Sequence, residues 1–220
     1  MSTTPSDVID LLAGIEPNSP LHDIRNQRAQ ARENAQKSYS ALFEPEVPGD
    51  VTALERYAVA TFVAGLHDQL GVTDFYAGGL NRLAQPRFAE AITTEISRGI
   101  AQGPYGRYPE GPLSGEDAEG PDYRVTPENR ALLGGRLAAA FEHAHLLVFH
   151  PRDGSPAALQ RLLDAGWSAT DIVTLSQLVS FLTFQIRVIA GLRTLAATSE
   201  GVAASSRAAV FTGVLASSHV

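Results

Sequence analysis

The sequence predicts an all-α fold, and three observations carry that expectation. Apolar residues recur at helical spacing in most segments between breakers, as in Val59, Phe62, Val63 and Leu66. Helix start and stop signals also recur: threonine and serine caps, prolines at first helical positions, glycines after last ones. No segment sustains the apolar/polar alternation that a half-buried strand requires. At 220 residues, 44% hydrophobic and 19% charged, the chain can bury a sizeable core. It suffices for one large domain or two small, closely packed ones.

The first element expected is a short helix from Ser6, as N-cap, to about Ile15, with Val8, Ile9, Leu11 and Leu12 as its apolar face. Pro17, Asn18 and Pro20 break it. Residues 21–43 read as one polar helix with sparse apolar positions, placed at the surface or against another subunit. After Pro45, Pro48 and Gly49, the run Thr52–Ala53–Leu54–Glu55 has the form of a capping box and opens a helix over 53–69. Two further helices follow over 72–83 and 86–101. Gly78 and Gly79 weaken the first, and the Gln85–Pro86 step separates the pair.

Periodicity then collapses over 103–125, a run of glycine, proline and acidic residues that reads as a lid or a subunit-contact arm. Tyr105, Tyr108 and Tyr123 are its candidate anchors. Thr126–Pro127 opens a helix expected to reach about Val148, and Ser155–Pro156 opens another that Gly166 ends. The run Ser168–Ala169–Thr170–Asp171 caps a long helix to about Leu195. The organisation expected is an extension (1–50), a helical half (51–102), the loop (103–125), a second helical half (126–195) and a tail (196–220). That tail is rich in alanine and serine and is expected to fray, with Val210, Phe211, Val214 and Leu215 able to dock.

A net charge of -7 repels phosphate backbones and anionic lipid, so neither nucleic acid nor a membrane surface is the expected partner. With no cysteine, disulfides, thiolate nucleophiles and sulfur-ligated metals are all excluded. The opening residues lack the basic and long apolar regions of a signal peptide. Residues 172–192 are long and apolar enough to span a bilayer. Thr174, Ser176, Gln177, Ser180, Thr183, Gln185 and Arg187 argue instead for a packed helix, and the cytoplasm is the expected compartment.

The run LLDAGWSATDIV, followed by a long helix containing FLTFQIRVIAGL, resembles the carboxymuconolactone decarboxylase family, which includes the AhpD-like alkylhydroperoxidases. Phe181, Phe184 and Arg187 stand at the places of that family's F-x-x-F-x-x-R segment. More weakly, ERYAVATFVAGLHDQLGVTDFY resembles the helix that leads into a Cys-x-x-Cys pair and a histidine in redox-active members. Here Tyr57 stands for the family's glutamate, Gln69 and Val72 for the cysteines, and Tyr76 for the histidine. The resemblance implies an AhpD-like helical bundle built from two halves, and a homo-oligomer. It implies peroxidase ancestry without peroxidase chemistry, because a peroxidatic thiolate and a resolving thiol are both missing. The family's decarboxylases use no metal and no organic cofactor, so acid/base chemistry on a small carboxylate or lactone stays open. The alternative is an accessory or scaffold role beside a cysteine-bearing AhpD-like paralogue.

His67, near the end of the 53–69 helix, is the candidate acid/base, with capping or solvation as its structural alternative. Glu55 is a weaker candidate because Thr52–x–x–Glu55 already assigns it to a cap. Arg56 and Arg187 are candidate carboxylate binders, with ion pairing as the simpler role for each. Ser176, Ser180, Thr183 and Arg187, at spacings of four, three and four, make a polar stripe that must face a subunit, a pocket or water. Glu142, His143, His145 and His150 invite a metal reading. However, His143 and His145 point about 200° apart on a helix, so no metal site is expected, while Glu142 and His145 share a face and can pair.

Overall fold

The computed structural model describes residues 7–216, with side chains through residue 198. The fold is all-α: ten helices and no strand among the described residues. They are α1 (Val8–Ala13), α2 (Pro20–Asn26), α3 (Ala29–Phe43), α4 (Ala53–Leu66), α5 (Leu70–Asn81), α6 (Pro86–Gly99), α7 (Pro127–Leu133), α8 (Gly135–Phe149), α9 (Pro156–Asp164) and α10 (Ala169–Ala216). Two compact units result. One comprises residues 1–36 and 187–220, and the other residues 37–186.

In the first unit, Asp7 caps α1 by accepting from the Ile9 and Asp10 amides; Ser6, expected in that role, lies outside the described residues. The 21–43 segment is two helices, not one. Ser19 caps α2 with Pro20 at its first position, and the chain re-enters helix at Ala29. This arrangement lets Arg25 and Arg32 both reach Asp7 and Asp10, with Arg25 Nη1 2.8 Å from Asp7 Oδ1. Burial alone raises the Asp7 pKa, but hydrogen bonds from Arg25 and the Asp10 amide outweigh it and hold the carboxyl below its usual value. Gln36 Oε1 accepts from the Val8 amide at 2.8 Å, and Arg193 donates to the Leu12 carbonyl at 2.6 Å. The polar face of α2 and α3 therefore binds charge within the chain.

In the second unit, α4 is the central element. Ala58, Val59, Ala60, Phe62, Val63 and Ala64 are all essentially inaccessible, as expected of a helix that is apolar nearly all round. It packs on α5, α6 and α8. Phe62 stacks on Phe141 of α8 at 4.4 Å, and Tyr123 closes on Phe62 at 5.6 Å. The α4–α6 approach requires a glycine: a Cβ on Gly65 would lie 2.6 Å from Ile96 Cγ2. Helix α4 stops at Leu66, short of the expected 69, because Asp68 turns left-handed at φ 53°. The helix expected over 127–148 breaks into α7 and α8 at Gly134, whose φ of 86° a side chain disfavours.

The 103–125 loop is packed and carries structure of its own: a Gly106–Ala118 bridge and a 3₁₀ turn at Ser114–Glu116. Tyr105 donates its amide to the Phe149 carbonyl, and Tyr123 is buried against His145. Helix α10 exceeds its expected end and continues to Ala216; the side chains of Val210, Phe211, Val214 and Leu215 lie outside the described residues. Its stretch Ala169–Thr198 is long and apolar enough to cross a membrane, and half of its most apolar window is buried within this chain.

One carboxylate joins α6 to α7. Glu95, fully buried, accepts from Tyr123 Oη (2.8 Å), Asn129 Nδ2 (2.7 Å), Arg98 Nη1 (2.6 Å) and both the amide and hydroxyl of Thr126 (3.2 Å each). Burial pushes its pKa up, but the Asn129, Tyr123 and Thr126 hydrogen bonds outweigh that and leave it below the ordinary value. Glu95→Ala is expected to cost about 2–4 kcal/mol, since it strands the buried Tyr123 hydroxyl and several part-buried donors at once. Urea denaturation of variant against wild type measures this, and a loss under ~0.5 kcal/mol rules out the anchoring role.

Candidate functional site

Three helices start around a single guanidinium. Glu55 completes the capping box of α4: its Oε2 accepts from the Thr52 amide at 2.8 Å, while Thr52 Oγ1 accepts from the Glu55 amide at 3.2 Å. Asp171 does the same for α10 with Ser168, at 3.2 and 3.1 Å. Both carboxylates then meet Arg136, in the first turn of α8, at 2.7 Å for Glu55 and 3.4 Å for Asp171. The guanidinium also donates to the Gly166 carbonyl and sits 4.1 Å over the Trp167 ring. Trp167 Nε1 returns a hydrogen bond to the Arg136 carbonyl at 2.9 Å. Burial alone lowers the Arg136 pKa, but the two carboxylates reverse that and raise it.

Arg56, one residue beyond Glu55, is buried and does different work. Its Nε donates to Val51 O (3.0 Å), its Nη1 to Leu42 O (2.8 Å) and its Nη2 to Pro48 O (2.8 Å). It thereby ties the end of α3 and the following loop to α4. Burial lowers its pKa, opposed by the fields of Glu55 and Asp171. Beside it opens a groove of about 920 Å³, lined by Arg56, the 45–51 loop, Leu159 of α9 and the first three turns of α10. Val47, Ile172, Val173 and Phe181 are among its apolar lining.

The nominated acid/base residue is elsewhere. His67 forms the C-cap of α4, half-buried, with Nε2 3.5 Å from Thr183 Oγ1, and it does not line that groove. Eleven or twelve residues of helix separate it from Arg56 and Glu55, about 17 Å along the axis. Arg187 is exposed on α10 and belongs to the other compact unit.

Tyr57, Gln69, Val72 and Tyr76 have four different surroundings. Tyr57 fills the space over Gly79, where a Cβ would lie 2.2 Å from its ring. Val72 is fully buried, and Gln69 precedes α5 without a side-chain capping bond. Tyr76 is buried and donates to Gln185 Oε1 at 2.5 Å; burial pushes its phenol well above the usual value. Gln185 Nε2 is buried without a partner.

The α8 histidines are each placed by a different neighbour. His143 Nε2 lies 3.4 Å from Ser176 Oγ, and its Nδ1 is buried without a partner. His145 Nε2 donates to the Gly99 carbonyl at 3.0 Å and stacks on Tyr123 at 4.6 Å. Glu142, which the shared helix face allows to pair with His145, instead accepts from Arg130 and from the Val125 amide, because the 124–130 segment reaches it first. His150 joins Asp153 and the Pro121 carbonyl, both at 3.1 Å. Among the described residues no group of three or more His, Cys, Asp or Glu is placed to hold a metal. The Ser168–x–x–Asp171 cap marks Asp171 in the sequence, whereas no local signal marks Arg136 or Glu95.

Against profiles of known families and against curated proteins, the chain has no match.

Two measurements check this site. Arg136→Ala leaves Glu55 and Asp171 both unpaired and is expected to cost about 2–4 kcal/mol in urea denaturation; an unchanged midpoint dismisses the hub. Burial, opposed only partly by the Gly99 carbonyl, pushes the His145 pKa down to about 4 from 6.5. Protonation therefore favours the unfolded chain, and this contribution is complete above 6.5 and declines as pH falls towards 4. Stability should fall over that window by up to about 1.4 kcal/mol per pH unit. His145→Gln should make the decline shallower, and identical pH profiles for the two proteins exclude the assignment.

Proposed function

We propose that this chain is a thiol-free member of the carboxymuconolactone decarboxylase/AhpD-like group that works by association and not by turnover. The observation that carries this reading is the dispersal of its nominated chemistry along α4. Glu55 and Arg56 are held by capping, Arg136 and backbone carbonyls, and His67 is about 17 Å of helix away. A small substrate cannot touch both ends of that helix. An acid/base enzyme needs its proton carrier and its anion holder within hydrogen-bond reach of one molecule.

The absence of cysteine supports the same reading, since no residue of this chain can replace a peroxidatic thiolate. The open groove beside α10 is the surface association would use. The partners implied are proteins of the same fold: further copies of this chain, and a cysteine-bearing relative that supplies the thiol chemistry. The compartment implied is the cytoplasm.

The test is a pair of assays on the purified full chain. With an organic hydroperoxide and a dithiol reductant, no turnover above the uncatalysed rate is expected. With carboxylated γ-lactones, no decarboxylation is expected either. Lactone turnover abolished by His67→Gln would establish the rival lyase reading. Adding a cysteine-bearing AhpD-like protein should restore hydroperoxide turnover, beyond what that protein achieves alone.

A further inference from the structure

Helix α9 packs on α8 and leaves a space of about 10 Å³ between them, room for one small particle and little more. Ala139, Ala158 and Leu162 are among its apolar walls, and His143, Glu142 and Arg161 are its polar residues. His143 is only 7% exposed. Its Nε2 lies 3.4 Å from Ser176 Oγ, and its Nδ1 is buried without a partner. With the Ser176 hydroxyl donating to Nε2, the ring proton sits on Nδ1 and finds no acceptor among the described residues. Arg161 is exposed on α9 and makes a single long hydrogen bond, 3.5 Å to the Ala157 carbonyl one turn earlier. It forms no ion pair among the described residues, although Glu142 lines the same space. Glu142 is already committed, to Arg130 at 2.5 Å, the Val125 amide at 3.1 Å and Arg124 at 3.8 Å. Burial, and after it the uncompensated Arg161 charge, holds the His143 imidazole below its usual pKa.

We propose that this α8–α9 space binds a small monovalent anion, halide-sized, between the Arg161 guanidinium and the Nδ1–H of His143. The proposal is independent of the associative reading above. Charge selects the valence: one uncommitted guanidinium balances one negative charge, and a dianion would meet repulsion from Glu142. Space selects the size, because 10 Å³ does not admit the body of an organic acid. Donors select the sign. Both uncommitted groups only donate, so the occupant has only to accept. A neutral water accepts but leaves the guanidinium charge unanswered beside a buried imidazole, whereas an anion answers both. The guanidinium is weakly hydrated and gives up little to bind a halide. The net charge of -7 opposes binding only at a distance, since salt screens it beyond about 10 Å. Arg161 also lines a neighbouring open cleft of about 320 Å³, which gives the anion its way in.

The experiment titrates sodium chloride into the full chain at constant ionic strength. Sodium gluconate, whose anion is too large for the space, is the balancing salt. Imidazole ¹⁵N–¹H spectra follow the histidines, the His143 signal being the one lost in His143→Gln. That signal should shift saturably, with a midpoint on the order of 10 mM chloride. Its titration midpoint should rise by at least ~0.5 pH unit in saturating chloride, because an adjacent anion favours the imidazolium. The other groups facing it are Arg161 from α9, uncharged Ser176 from α10 and Glu142, held by Arg130, on its own helix. Bromide should compete and sulfate should not. Arg161→Gln changes an exposed position, so it should keep the wild-type helical circular dichroism while weakening chloride at least ~10-fold. Arg187→Gln should bind as wild type does. As a readout that needs no assignment, chloride should raise the thermal midpoint of the wild type and not of Arg161→Gln. A shift that never saturates, that appears equally in gluconate, or that survives Arg161→Gln overturns the proposal. So does competition by sulfate, or a His143 signal indifferent to chloride, which assigns the space to water.

Discussion

Arg136 is the constraint from which the second unit is organised. Two helices, α4 and α10, each place a carboxylate three residues after their caps, and each carboxylate first serves its own helix. Both then share one guanidinium at the start of α8, stacked on Trp167. Such a hub stabilises little compared with a well-packed apolar substitute, but it is exacting in geometry. Moving any of the three starts by one residue leaves a buried charge unpaired. The hub therefore sets the axial register of α4, α8 and α10, and with it the wall of the groove.

Glu95 plays the corresponding part between α6 and α7. Its carboxylate accepts from Arg98 before the long 103–125 connection, from Tyr123 near its end, and from Asn129 and the α7 cap Thr126 after it. A connection of that length carries a large conformational entropy, and the hydrogen bonds to Glu95, with buried Tyr123, fix where it ends. In the first unit, Asp7 and Asp10 do similar work for α1 and α2 through Arg25 and Arg32. All three charge clusters tie helix beginnings, where unsatisfied amides already favour carboxylates.

The cost of this economy falls on chemistry. Carboxylates and arginines committed to helix starts are poorly placed to bind and release a substrate. The interior of the second unit holds Val72, Tyr76 and Gln185 as close-packed side chains, with Tyr57 lying over Gly79. The second unit also presents apolar surface: Val173 and Phe184 on α10, and a groove with exposed Val47 and Leu159.

Much of the secondary structure was legible in the sequence because its signals are local. The capping boxes at Thr52 and Ser168, the proline starts at Pro86, Pro127 and Pro156, and the core face of Val59, Phe62, Val63 and Leu66 need only neighbours a few residues away. The same locality explains the misses. The Gly134–Gly135 pair is a local break signal, but the apolar periodicity on either side of it reads as one continuous helix; nothing near Glu95 announces donors 28 to 34 residues away. Sequence alone determined that the chain is helical, that it lacks thiol chemistry and that Glu55 caps α4. Only the tertiary structure decided that Arg136 links three helices, that Arg56 binds carbonyls and that His67 stands apart from both. Those outcomes depend on which distant groups meet when the helices pack, and local patterns carry no record of that meeting.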